Sequence, residues 1–279
     1  MTSTRTGPTP DVPISDVPRL RVHHLGRAKK RGERLTMLTA YDAIVAGVFD
    51  DAGIDILLVG DSMGTTVLGM PSTLTVALED IERATRAVAT AVRRAMVVAD
   101  LPFGTYEDSP THAFDSATRL MRAGAHAVKF EGGQRVASQV QLIASAGIPV
   151  IGHIGFTPQS EHGLGGPRIQ GRDAASLDTL TADAVALQEA GASAIVLELM
   201  PADAAATLTD MLQIPTIGIG AGPHCDAQVL VWTDMVGLTP RPPRFARAFG
   251  QARRDLQAAA GAYAEAVRNG AYPDPEHSY

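Results

Sequence analysis

Along the chain, short apolar runs rich in β-branched residues alternate with longer segments whose apolar residues fall at helical spacing. The runs cover residues 35–40, 56–60, 96–101, 127–131, 148–154, 194–199, 214–220 and 229–236. Each is apolar on both faces, the pattern of a parallel strand buried on both sides. Between them, residues 43–52 read as a helix that stops at Gly53, and residues 78–94 carry Ala and Arg with apolar residues at helical intervals. Ala123-Gly124-Ala125, Ala146-Gly147-Ile148 and Ala190-Gly191-Ala192 each close a helix and open a strand. Glycine there takes a left-handed cap conformation that a Cβ would penalise. Eight strands alternating with helices predict one (β/α)₈ barrel over residues 19–279. An open doubly wound sheet is the alternative, but no Gly-rich nucleotide fingerprint follows the first strand. Residues 1–18, rich in Thr, Ser and Pro, read as a disordered tail. Residues 244–269 read as a long amphipathic helix followed by a polar tail.

Composition narrows the picture. With 279 residues, 45% of them hydrophobic, the chain can bury one large core. Its 24 basic and 30 acidic residues give a net charge of −6, which argues against a phosphate-seeking, nucleic-acid-binding surface. The single cysteine, Cys225, excludes a disulfide framework and a cysteine-rich metal site and fits a reducing, cytoplasmic setting. Residues 1–18 contain no apolar core of a signal peptide, and no run approaches the ~18 apolar residues of a spanning helix. A soluble protein is expected.

In a parallel barrel the working side chains stand at the carboxyl ends of the strands. The second run ends in Asp61-Ser62, the third contains Asp100, the fourth carries Lys129 and Glu131, the fifth His153 and the sixth Glu198. Lys129 and Glu131 lie two positions apart and so project to the same face. Asp61, Asp100 and Glu131 at one mouth would repel one another and raise each other's pKa values unless a cation compensates. All-oxygen ligands favour a hard cation, Mg²⁺ first, with open positions that the two oxygens of a 2-keto acid would complete. Taken singly, an Asp at a strand end is as readily a helix N-cap, Lys129 a surface lysine and His153 a satisfied core histidine. The three acids together, embedded in apolar runs, point to metal chemistry. His153 is placed to hold substrate or a proton-relay water. Glu198 closes a very apolar run, where desolvation would raise its pKa and suit it to proton transfer. His23, His24 and the cluster from Lys29 to Arg34 read as solvated, and Trp232 as core. The stretch Gly218-Ile219-Gly220-Ala221-Gly222 reads either as a phosphate-binding loop or as a tight turn with close backbone approach.

These residues sit in phrases that resemble the ketopantoate hydroxymethyltransferase family. The phrases are Thr39-Ala40-Tyr41-Asp42, Leu58-Val59-Gly60-Asp61-Ser62, Ala99-Asp100-Leu101-Pro102-Phe103 and Val128-Lys129-Phe130-Glu131-Gly132-Gly133. They continue through Gly152-His153-Ile154-Gly155-Phe156-Thr157-Pro158-Gln159-Ser160, Gln170-Gly171-Arg172, Leu197-Glu198 and Glu276-His277-Ser278, collinear from about residue 20 onward. The resemblance implies a barrel of the phosphoenolpyruvate/pyruvate type in which Asp61, Asp100 and Glu131 bind Mg²⁺. It also implies that Asp61, Ser62, Asp100 and Lys129 contact the keto acid and that Glu198 is the general base. By the same resemblance the substrate is 3-methyl-2-oxobutanoate and the carbon donor 5,10-methylenetetrahydrofolate. The product is 2-dehydropantoate, formed through a Mg²⁺-bound enolate in pantothenate and coenzyme A synthesis, and the assembly is a homo-oligomer, a decamer in the family. The chain departs from the family's usual residues at Ala43, Met70-Pro71, Thr75, Pro167, Ala227 and Thr233, none of them a metal or base position.

Three other readings stand beside this one. A paralogue would act on a related 2-keto acid. A metal-dependent barrel lyase or mutase would need a cationic clamp or a loop cysteine, and Arg172 is the one obvious cation near the mouth. A non-catalytic barrel would bind the keto acid without proton exchange.

Overall fold

The computed structural model describes residues 13–279. Of the predicted tail, residues 1–12 lie outside the described residues; in the remainder, Ile14–Asp16 form one 3₁₀ turn and Val17 is buried. Strands β1 (Leu35–Thr39), β2 (Ile56–Val59), β3 (Met96–Asp100), β4 (Ala127–Glu131), β5 (Val150–Gly155), β6 (Ala194–Glu198), β7 (Thr216–Ile219) and β8 (Ala227–Leu230) close in sequence order into a barrel. The pairs from β1 to β8 are parallel, as the predicted (β/α)₈ barrel requires.

Helix α1 (Val22–Arg31) precedes the barrel, and α2 (Ala43–Asp51), α3 (Leu78–Ala91), α4 (Pro110–Arg122), α5 (Ala137–Ser145), α6 (Ala174–Glu189) and α7 (Ala202–Met211) follow β1 to β6 in turn. Their starts are written locally. Asp42 accepts hydrogen bonds from the backbone N–H groups of Ile44 and Val45, Ser109 caps a helix with Pro110 in its first turn, and Asp173 caps α6. Along α3, Leu78, Ile81, Ala84, Thr85 and Val88 are buried, the three-and-four spacing of a helix with one face on the sheet.

The end of the barrel differs from the sequence reading. The eighth strand begins and ends earlier than residues 229–236, and Trp232–Met235 form a one-turn helix. The start is pinned by Asp226, which accepts hydrogen bonds from the Thr216 N–H at 2.9 Å and from Lys29 Nζ at 2.9 Å. An apolar run alone does not mark where a buried strand gives way to a helical turn. Lys29, read as solvated, is this half-buried tie, and it also donates to the Thr209 carbonyl. Between β7 and β8 the chain runs through a loop in which Gly222 has φ 77° and an added Cβ would stand 2.4 Å from Ala202 Cβ. The glycine run is thus a close backbone approach.

Residues Leu230–Tyr279 cluster as a second compact unit. In it, the Phe249 N–H donates to the Met235 carbonyl and that of Ala252 to Val236. Helix α8 (Ala252–Arg268) therefore starts later than residue 244, and none of its residues is buried.

Inside the barrel, side chains alternate. Leu35, Met37, Ile56, Leu58, Met96, Val98, Ala127, Ile151, Ala194, Val196 and Ile217 form an inner cluster together with Leu25 and Ala28 of α1. Adding two residues along a strand keeps the side chain on the same face. From Val98, Ala127, Ile151 and Val196 that step reaches Asp100, Lys129, His153 and Glu198, and a further step along β4 reaches Glu131. The apolar floor thus passes directly into an ionisable layer.

Candidate active site

Strand register brings this layer together: Asp100 is level with Lys129, Glu131 with His153, and Gly155 with Glu198. Asp100, Lys129, Glu131 and His153 are all buried, as is Asp61, which follows Gly60 at the end of β2. Space at Gly60 is tight, since a Cβ would lie 3.1 Å from both Asp100 Oδ2 and Ser62 Oγ. Asp100 uses both oxygens within the protein. Oδ2 accepts from the Asp61 backbone N–H at 3.1 Å, and Oδ1 lies 2.6 Å from Lys129 Nζ. Asp61 Oδ2 accepts from Gln159 Nε2 at 2.8 Å, and Glu131 Oε2 accepts from the Gln159 backbone N–H at 2.9 Å. His153 stands between two glutamates, with Nδ1 3.4 Å from Glu131 Oε1 and Nε2 3.2 Å from Glu198 Oε2. Neither ring nitrogen makes an aligned hydrogen bond, so His153 is not a satisfied core histidine. Glu198 is 16% exposed, more than the His153 beside it. Ser62 Oγ is 2.8 Å from the Tyr41 hydroxyl.

The charges in this layer are strongly perturbed. Burial, with Asp100 and Glu131 beside it, pushes the Asp61 carboxyl up to about 8. Burial also raises Asp100, against the pull of the Lys129 ammonium. Burial works to neutralise Lys129, but Asp100, Glu131 and Asp61 overcome it and hold the ammonium above its ordinary range. For His153, burial and the Lys129 charge act downward, while Glu131 and Glu198 outweigh them and push the imidazole up to about 9. At neutral pH, His153 is therefore an imidazolium bridging two carboxylates.

Three buried acids beside one lysine are a donor set that a hard cation would stabilise, and the reluctance of Asp61 and Asp100 to ionise without one supports that fit. Among the described residues, however, no three acidic, histidine or cysteine side chains form a ready metal-holding group. Each of the three acids instead meets protein donors: Asp100 meets Lys129, Asp61 meets Gln159, and Glu131 meets the Gln159 backbone and His153. A cation here would rest on few protein oxygens and keep open positions, which suits Mg²⁺.

Three contributors escaped the sequence reading. Gln159 and Tyr106 form a buried clamp: the Tyr106 hydroxyl donates to Gln159 Oε1 at 2.7 Å, while Gln159 Nε2 donates to Asp61 and to the Leu101 carbonyl. The motif phrase contained Gln159, but a neutral carboxamide carries no charge to draw notice. The third is Arg135, in the loop after β4, whose Nη2 donates to Ser160 Oγ at 3.0 Å. Arg172, the cation expected at the mouth, is exposed and lines a different depression with Asp203 and Thr207. Leu199, immediately after Glu198, is among the described residues the one non-glycine with a left-handed backbone, φ 47°. Such a conformation costs about 1–2 kcal/mol and is found where a functional site constrains the chain.

Known proteins resemble the chain in sequence and in fold. The family model for ketopantoate hydroxymethyltransferase matches residues 19–275. The chain is 58% identical over 270 residues to the 3-methyl-2-oxobutanoate hydroxymethyltransferase of Acidothermus cellulolyticus, covering 95% of this chain and 98% of that one. It is 53% identical over 272 residues to the protein of the same name from Leifsonia xyli subsp. xyli, covering 96% and 98%. Among solved structures, phosphonopyruvate hydrolase in complex with oxalate and Mg²⁺ shares the fold with a TM-score of 0.60 at 15% identity, covering 92% of this chain and 93% of that one. A 2,3-dimethylmalate lyase of the PEP mutase/isocitrate lyase superfamily has a TM-score of 0.57 at 17% identity, covering 91% and 92%. Among the described residues no helix is long and apolar enough to cross a membrane.

Proposed function

The chain belongs to the ketopantoate hydroxymethyltransferase family, and from that membership and the geometry of the barrel mouth we propose that it transfers a hydroxymethyl group from 5,10-methylenetetrahydrofolate to 3-methyl-2-oxobutanoate. The product would be 2-dehydropantoate, for pantothenate and coenzyme A synthesis, made in the cytoplasm by a homo-oligomer. The observation that carries the reading is the line of ionisable groups from Asp61 and Asp100 through Lys129, Glu131 and His153 to Glu198.

Asp61 and Asp100, with Glu131 beside them, are the residues that would hold Mg²⁺. Bound there, the ion would supply Lewis-acid polarisation of the ketone. The protein's own groups do the rest. Lys129, a fixed ammonium in a buried acidic layer, and the Ser62 hydroxyl orient the carboxylate of the keto acid. Glu198 takes the proton from C3, the carbon next to the ketone; it is open enough to meet substrate, and buried His153 anchors its far side. The C3 carbon then forms a bond to the methylene carbon of the donor and water supplies the hydroxyl oxygen, while the two C–N bonds of the methylene bridge break; the proton taken from C3 and one from water go to the two nitrogens of the departing tetrahydrofolate.

Proton exchange tests this before any carbon is transferred. In D₂O the C3 proton of 3-methyl-2-oxobutanoate should exchange, by NMR, only with both protein and Mg²⁺ present. Glu198→Gln should abolish exchange while the keto acid still binds. Exchange at the wild-type rate in that variant would remove Glu198 as the base.

A further inference from the structure

A cavity of about 480 Å³ opens beside the carboxyl ends of β4 and β5, between the β4 loop and the first half of α6. None of Asp61, Ser62, Asp100 or Lys129 lines it. It borders the strand ends that carry Glu131, His153 and Glu198, whose side chains are not part of its wall. Its wall residue Gly155 has φ 94° and packs on Glu198 so closely that a Cβ would stand 2.2 Å from the Glu198 carbonyl oxygen. Gly132, another wall residue, donates its backbone N–H to the His153 carbonyl at 3.0 Å. The cavity therefore borders the backbone of the two strands that carry His153 and Glu198.

The lining specifies the chemistry of that molecule. Asp183 of α6 presents a carboxylate over Gly133, where an added Cβ would meet Asp183 Cγ at 2.0 Å. One of its oxygens, Oδ1, accepts from the Gln134 backbone N–H at 2.9 Å. A carboxylate has acceptor capacity beyond that bond, suited to a pair of N–H donors. Arg135 supplies a guanidinium, and Ile154, Leu164 and Leu180 supply apolar surface. A polyphosphate would meet the Asp183 charge, and a plain hydrocarbon would strand the polar groups. A flat heterocycle with an amide-like N–H edge and an anionic tail satisfies all three features, and the volume is that of an ordinary small-molecule site.

We propose that this cavity binds the one-carbon donor, with Asp183 accepting from the aminopyrimidinone edge of a reduced pterin and Arg135 facing its anionic tail. The proposal rests on the function proposed above and adds the location of the second substrate. Keto acid and donor would then be held by different residues at the carboxyl end of the barrel.

Two variants test it in the full-length protein. Asp183→Asn keeps an oxygen for the Gln134 N–H but loses the charge. Thr179→Trp fills the cavity from an exposed position on its rim. Both should raise the KM for 5,10-methylenetetrahydrofolate, and weaken tetrahydrofolate binding in calorimetry, by about tenfold or more. The KM for the keto acid and the donor-independent C3 deuterium exchange should stay within about twofold of wild type. Unchanged donor KM in both variants overturns the site. So does parallel loss of exchange and transfer, which would mean that the cavity supports the carboxylate layer instead of holding the donor. Absence of exchange in the wild-type protein would instead defeat the function on which the proposal rests, and the proposal with it.

Discussion

Replacing Lys129 by Met removes the one ammonium of the buried layer while keeping a side chain of similar length. Lys129 Nζ is 2.6 Å from Asp100 Oδ1. At an effective dielectric constant of about 20, unit charges at that separation attract by about 6 kcal/mol. The variant also escapes the desolvation of the ammonium, several kcal/mol, so the net loss should be the ~3–5 kcal/mol typical of breaking one side of a buried pair. Its pH dependence follows from the carboxyls. Asp61 and Asp100 already have folded-state pKa values above their ordinary value, and losing Lys129 raises them further. For such a group the stability contribution is fully present below the unfolded pKa and is lost as pH rises through the folded one. The deficit of Lys129→Met should therefore be small near pH 5, where the carboxyls can take up protons, and largest near pH 8. Urea denaturation followed by circular dichroism, with a chelator present to exclude divalent ions, measures it at both pH values. Equal deficits at the two, or a variant as stable as wild type near pH 8, would show that Lys129 does not compensate buried negative charge.

Gln159→Leu should weaken divalent-ion binding about 10–100-fold, the usual effect of losing a group that orients a ligand. Mn²⁺ titration followed by EPR reads this, and wild-type affinity would reduce Gln159 to a packing role. His153 has a folded-state pKa of about 9 against 6.5. Its stabilising contribution, at most about 3 kcal/mol, is fully present below about pH 6.5 and lost as pH rises through about 9. The stability gap between wild type and His153→Gln should accordingly narrow over that interval in denaturation experiments, and a gap that stays constant contradicts a bridging imidazolium.

Much of this site was legible in the sequence because the relevant rule is local. Side chains along a strand alternate between faces, so Met96, Val98 and Asp100 must share one, and so must Ala127, Lys129 and Glu131. Barrel topology then places the polar end of each series at the mouth. Where the signal was hydrophobicity alone, it was less discriminating. The run at residues 229–236 did not show that Asp226 pins the strand early and that Trp232 begins a helical turn. Arg172 and Arg135 are equally visible as charges, yet only the loop conformations decide which stands beside the β4 and β5 ends.

By itself, then, the sequence determined the strand order, the inward-facing set and the acids that stand at the mouth, since each depends on near-neighbour periodicity. Which oxygen meets which donor belongs to the tertiary structure alone. Gln159 reaches Asp61 across 98 positions and Glu131 across 28, and no local pattern links residues that meet only when the barrel closes. That closure, by bringing so many buried charges within reach of one another, is also what shifts their protonation.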